Sequence, residues 1–379
     1  MQVKIYTEVK LKIPFVNLKR MHDPIREEID RAIKDVVDAN NYIMGKQIDE
    51  FESHFSQYIG TQSVIGISSG TDALFLALKT LEIGQGDIVI TVPHTFIATT
   101  EAITMAGARI LFVDVDETSY NMSPIKLEAL LDSLDKQTLE KVKAVIFVCL
   151  YGNPEDLDNI YEICKARNIR LISDAAQAHG AAVEIYSITD YADITSYSFF
   201  PGKNLGAFGD AGALAVNDPD MAKAIRMLRN HGRTEKYIHP VEAYNCRIDT
   251  LQAAVLDVKL KSLDSWNNNR IKAAETYNLL LGKKGYALPG QNKRYKHVFH
   301  LYVTRVKRRE EVIEKLNVAG VSTGIHYPLP LHLQPAYQHL DYKAGDFPVC
   351  EALSKEILSL PIDGTITNEE VEYVCSLLP

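Results

Sequence analysis

From Ser63 onward the chain repeats a pattern that few architectures accommodate, a short apolar or β-branched run followed by a helical stretch and then another short run. Strands are predicted over 64–67, 87–91, 109–113, 144–148 and 170–173, with helices over 71–81, 96–105, 124–134 and 155–166 between them. Strand alternating with helix implies parallel pairing, and so an α/β sheet covered by helices on both faces. The runs Ala144-Val145-Ile146-Phe147-Val148 and Ile88-Val89-Ile90 are apolar on both faces, as buried parallel strands must be. Ligands of such sheets sit beyond the carboxyl ends of the strands. The residues with chemical potential in this chain fall at those ends.

The flanking segments read as scaffold. Asp23-Pro24 opens a helix to about residue 40, and a second helix covers 47–58. Beyond the repeat come strands over 194–197 and 211–216, a helix over 219–230, an irregular polar stretch over 231–245 and one long helix over 249–281. After Gly290 the pattern becomes α+β: a strand over 299–306, a helix over 309–319, a strand over 321–325, a Pro-rich loop to 335 and two helices ending at 378. The expected division is a large α/β domain over 14–262, a smaller C-terminal α+β domain over 263–379 and an N-terminal arm over 1–13.

Composition narrows the partners. With 41 basic and 49 acidic residues the net charge is −8, which argues against general affinity for nucleic acid or anionic membranes. The longest apolar run, 144–150, is too short to cross a bilayer, and the N-terminal residues lack a signal-like apolar block. Five scattered cysteines without a Cys-x-x-Cys pair point to a reduced, cytoplasmic protein. The expected partners are small molecules.

Four strand-end features carry chemistry. Ser69-Gly70-Thr71-Asp72 lies where a strand meets a helix, so free N–H groups and the positive helix end suit a phosphate; Thr71 serves equally well as a plain helix cap. Phe96 ends the next strand, as a stacking face for a planar ligand or as core. Asp174 follows strand 170–173, where a carboxylate needs a charged or hydrogen-bonded partner, either a protonated ring nitrogen or the turn it caps. Lys203 sits in Ser198-Phe199-Phe200-Pro201-Gly202-Lys203-Asn204-Leu205-Gly206, as a reactive amine or a surface lysine on a turn. Taken together, a phosphate cradle, a stacking ring, an acid and an amine are the set that pyridoxal 5'-phosphate requires. No Gly-x-Gly-x-x-Gly fingerprint opens the first βα unit, which disfavours a dinucleotide-dependent oxidoreductase.

With those segments, Asp174-Ala175-Ala176-Gln177-Ala178-His179-Gly180 and Tyr244-Asn245-Cys246-Arg247 make the chain resemble the DegT, DnrJ and StrS family of nucleotide-sugar aminotransferases, from about residue 13 to the end. The resemblance implies the fold-type-I aminotransferase architecture and homodimers with shared active sites. It implies Lys203 as Schiff-base lysine, Asp174 as partner of the pyridine nitrogen, Phe96 as stacking ring and Gln177 beside the ring oxygen. Gly70, Thr71 and Ser198 would hold the phosphate, with Asn245 reaching in from the second subunit. His326 and Tyr327 would meet the sugar, and Arg247 a phosphate or carboxylate; no metal site is expected.

Residues 206–212 and 325–337 look most like enzymes that aminate C3 of a dTDP-linked 3-keto-6-deoxyhexose, with L-glutamate as donor, in deoxyaminosugar biosynthesis for lipopolysaccharide or S-layer glycans. The alternatives are a C4 aminotransferase, a dehydratase on the same scaffold, or a non-catalytic regulatory protein. Deoxygenating relatives carry histidine in place of the lysine, so Lys203 weighs against a dehydratase. Residues 182–190 depart from the family pattern, lacking its glycine- and lysine-rich hairpin.

Overall fold

The computed structural model describes residues 12–379. The strands, numbered in chain order, are β1 Ser63–Ile67, β2 Ile88–Thr91, β3 Arg109–Phe112, β4 Val142–Val148, β5 Arg170–Asp174, β6 Ala182–Val183, β7 Tyr186–Ser187, β8 Ile194–Ser198, β9 Gly212–Val216, β10 Tyr295–Lys296, β11 Tyr302–Arg305 and β12 Ile357–Leu360. Seven of them form one sheet in the order β1-β9-β8-β5-β4-β2-β3. From β8 to β3 every neighbouring pair is parallel, as the alternation with helices predicts. The exception is β9, antiparallel to both β8 and β1. No helix separates β8 from β9; the lysine-bearing loop 199–211 joins them directly, and a direct connection returns the chain antiparallel. Strand ends Ile67, Thr91, Val148, Asp174 and Ser198 therefore open on one edge of the sheet.

Several elements differ from the sequence expectation for local reasons. Asn17 accepts from the Arg20 amide (3.0 Å) and starts a helix at Leu18–His22, so Pro24 falls in a 3-10 turn, Asp23–Ile25, before the helix Arg26–Ala39. The predicted long helix is two, Thr250–Leu260 and Leu263–Gly282. Its halves serve different cores: Ala253, Leu256 and Leu260 pack in the large cluster around the sheet, whereas Ala273, Ala274, Tyr277 and Leu281 pack in a second cluster with Tyr302, Leu358 and Val371.

The division expected at 262/263 falls beside that break. The clusters trade segments across it, since Val298, Leu301 and 331–357 contribute to the first and Ile13 to the second. Ile13, the last residue of the expected N-terminal arm, is 2% exposed and bridges Val321; residues 1–11 of that arm lie outside the described residues. The strand expected over 321–325 is reduced to single bridges, Ile13 to Val321 and Gly324 to Ser359; Ser359 lies in β12, a strand placed among helices by the sequence, whose other edge pairs with β11.

Residues 182–190 do form a hairpin. β6 and β7 pair antiparallel with β10 on the other side of β6, and Glu184 takes the left-handed conformation (φ 54°) that glycine would otherwise supply. Arg294 donates through Nε to the Glu184 carboxylate (2.8 Å) at this turn.

Candidate active site

Beyond the shared strand edge lies a cavity of about 520 Å³, lined among others by Gly70, Thr71, Phe96, Asp174, Gln177, Ser198, Lys203, His326 and Tyr327. One side of it is formed by the start of the helix Gly70–Thr80. Ser69, not Thr71, caps this helix, its hydroxyl accepting from the Asp72 amide (3.0 Å). Thr71 therefore does not cap the helix; its hydroxyl makes no hydrogen bond among the described residues, and the residue lines the cavity. Gly70 is required by packing, since a Cβ there would stand 2.6 Å from the Ser198 Cβ. The helix start can therefore press against the end of β8 only with bare backbone.

Asp174 ends β5 at 5% exposure. Burial pushes its carboxyl above the ordinary range, opposed by hydrogen bonds from the Ala176 amide (3.2 Å) and the Thr99 hydroxyl (2.9 Å) and by the charge of Lys203. Gln177, three residues later, accepts at Oε1 from the Tyr151 amide (2.7 Å), which leaves its Nε2 toward the Tyr327 hydroxyl at 3.5 Å.

Lys203 hangs from the turn closed by its own amide to the Phe200 carbonyl (2.8 Å). A Cβ at Gly206 would lie 2.4 Å from the Pro201 carbonyl oxygen, so this tight loop admits only glycine there. Burial draws the Lys203 amine down to about 8, against the opposing pull of Asp174. An amine so placed is neutral and nucleophilic in a useful fraction of molecules near neutral pH.

Of the two residues expected to meet a sugar, His326 is braced on two sides. His326 bonds Ser359 through Nδ1 (2.8 Å) and stacks on Phe15 (5.7 Å between centroids), and burial, then Lys203, brings its imidazole down to about 4. Phe96 is 55% exposed, 6.0 Å from the Tyr327 ring, with an open face on the cavity.

Asn245 and Arg247 are not brought into this cavity. Asn245 is exposed and bridges Asn230, and Arg247 donates to the Asn230 side chain (2.8 Å) while bridging Ile67. Sequence reasoning missed Thr99, Tyr151, His300 and Phe15, all of which line the cavity or brace its residues. Only Thr99 left a trace, as a hydroxyl one helical turn after Thr95, which it contacts at 3.1 Å. Among the described residues no group of three or more His, Cys, Asp or Glu side chains is placed to hold a metal, and no helix is long and apolar enough to cross a membrane.

The sheet order and this cavity define the fold-type-I class of aminotransferases, which use pyridoxal phosphate. The residues present fit that group: a bare helix start, a free hydroxyl at Thr71, a buried carboxylate and an amine in one enclosure. The chain belongs to the DegT/DnrJ/EryC1/StrS aminotransferase family, whose model matches residues 23–379. It is 40% identical over 352 residues to a dTDP-3-amino-3,4,6-trideoxy-alpha-D-glucose transaminase of Streptomyces venezuelae, covering 93% of this chain and 91% of the relative. It is also 39% identical over 368 residues to a pleiotropic regulatory protein of Geobacillus stearothermophilus, covering 96% of this chain and 97% of the relative. Among solved structures, S. venezuelae DesV in complex with a ketimine intermediate superposes with a TM-score of 0.92 at 37% identity, covering 97% of both chains.

Proposed function

We propose that this enzyme moves the amino group of L-glutamate to C3 of a dTDP-linked 3-keto-6-deoxyhexose, using pyridoxal 5'-phosphate. The observation that carries this reading is the meeting of the Lys203 amine and the Asp174 carboxylate in one cavity whose phosphate corner is the start of the helix Gly70–Thr80. When bound, pyridoxal phosphate supplies a carbonyl for amines and an electron sink for the substrate carbanion. Asp174 holds the proton on the pyridine nitrogen, and Thr99 and the Ala176 amide keep its carboxylate aimed there. Lys203 Nζ carries the proton away from Cα of the amino donor and returns one to the sugar carbon, a task suited to a pKa close to the working pH.

The N–H groups at Gly70 and Thr71, with the hydroxyls of Thr71 and Ser198, receive the phosphate. Phe96 stacks on the ring and the Gln177 amide meets its oxygen. His326 and Tyr327 face the sugar. Asn245, exposed and outside this chain's own cavity, completes the phosphate site of a second copy in a homodimer, and Arg247 on the same segment meets a substrate phosphate or carboxylate there. The cytoplasm is the proposed location.

A regulatory role is the second reading, favoured by the name of the G. stearothermophilus relative. A pure binding module has no use for both Lys203 and Asp174, which supports the enzyme. The deciding experiment is glutamate-dependent amination over a panel of dTDP- and UDP-linked 3-keto and 4-keto sugars. The expected result is a C3 aminosugar formed mole for mole with 2-oxoglutarate from the dTDP-linked 3-keto substrate; failure with every sugar would defeat the substrate assignment.

A further inference from the structure

The residue after the reactive lysine fixes the chemistry of a second group in the cavity. Asn204 is buried, and its Nδ2 donates to the Val298 carbonyl (3.1 Å) and to Asn267 Oδ1 (2.8 Å). Asn267 in turn donates from its Nδ2 to the His179 carbonyl (2.8 Å). Backbone carbonyls only accept, so both amides are locked in one orientation and Asn204 Oδ1 remains an acceptor. It lies 3.1 Å from His300 Nδ1, which must therefore carry a hydrogen.

Burial, reinforced by the charges of Lys203 and Arg270 and by the neighbouring His326 and His179, holds the His300 imidazole well below its ordinary range, so the ring is neutral. In a neutral ring protonated at Nδ1, Nε2 carries a lone pair. That nitrogen has no partner among the described residues and is not one of the enclosed, unsatisfied atoms, while His300 itself lines the cavity beside Lys203. A bare acceptor thus opens on the place where chemistry occurs.

We propose that His300 is a specificity-determining residue whose Nε2 accepts a hydrogen bond from a hydroxyl of the ketosugar, held in that tautomer by the Asn204–Asn267 relay. This rests on the proposed sugar substrate. The amino donor fits the site poorly: glutamate presents carboxylate oxygens, which a lone pair repels, and its amine is engaged in the reaction. A sugar presents O–H donors. A site that pairs with a substrate hydroxyl also rejects analogues lacking it more sharply than an apolar wall does.

Two measurements test this. In cofactor-free protein labelled with 15N-histidine, with the signal assigned by its loss in His300→Gln, His300 is expected in the neutral, Nδ1-protonated form from pH 6 to 8. A ring protonated at Nε2, or at both nitrogens, overturns the inference whatever the enzyme's substrate. In the loaded enzyme, amine loading from glutamate and amine delivery to the sugar are timed separately in His300→Phe and His300→Gln. The expected loss falls at least tenfold more heavily on delivery than on loading, and the gap between wild type and variant closes for the deoxysugar that lacks the contacted hydroxyl. Equal losses in both halves, or a gap that persists for every deoxysugar, overturn it. Wild-type inactivity with all ketosugars would instead remove the functional reading on which the ligand depends, and the sugar hydroxyl with it.

Discussion

Lys203 shows at the scale of one residue how the site sets its own chemistry. Its amine is pulled to about 8 by burial although Asp174 pulls the other way. A lysine titrating lower in the folded than in the unfolded chain binds fewer protons when folded between about pH 8 and the ordinary value near 10.4, so folding gains stability as pH rises through that window. In the cofactor-free protein, the stability of wild type relative to Lys203→Met is expected to be flat below pH 8 and to climb toward pH 10.5, as read by denaturant melts. A flat difference throughout would mean a solvated amine. The lysine, the acid and the glycine-rich loop were legible because each interrupts a strand pattern with a residue that burial alone would not select. Thr99 and His300 were not, because their roles come from contacts with Asp174 and Asn204, far away in sequence.

Among the elements, the helix Gly70–Thr80 carries most of the geometric demand. Its first residue touches the end of β8, and the Cβ space at Gly70 is filled by Ser198. In Gly70→Ala the helix start must retreat or displace Ser198, so affinity for pyridoxal phosphate is expected to fall at least tenfold with the far-ultraviolet circular dichroism unchanged. Fluorescence titration of the cofactor-free protein measures it, and unaltered affinity would mean that the phosphate sits elsewhere. Regular alternation made the parallel strands and their helices readable, since each buried run has a period the chain cannot hide. β9 escaped as an antiparallel strand, and β12 escaped altogether, because direction and partner depend on connections and on distant strands rather than on local pattern. The break between Leu260 and Leu263 was hidden because both helices are apolar on a face, and only the two separate cores reveal that the faces differ.

For the molecule as a whole, burial of neutral histidines dictates the response to acid. Burial lowers His94 to about 4 and His179 and His297 to about 3, and all three are nearly inaccessible to solvent. Below the unfolded value near 6.5 the unfolded chain takes up protons that the folded one refuses, so stability drops as pH falls from 6.5 toward 4, by up to about 1.4 kcal/mol per pH unit for each histidine. Calorimetry at pH 5 in buffers of different ionisation enthalpy is expected to show net proton uptake on unfolding, and proton release would contradict it.

The central claim, that the whole α/β scaffold exists to present one amine to pyridoxal phosphate, has a direct test. The purified protein is incubated with the cofactor, reduced with borohydride, digested and mapped by mass spectrometry. A single reduced pyridoxyl adduct on Lys203, prevented by prior treatment with glutamate, is expected. An adduct spread over surface lysines, or absent from Lys203, would contradict it.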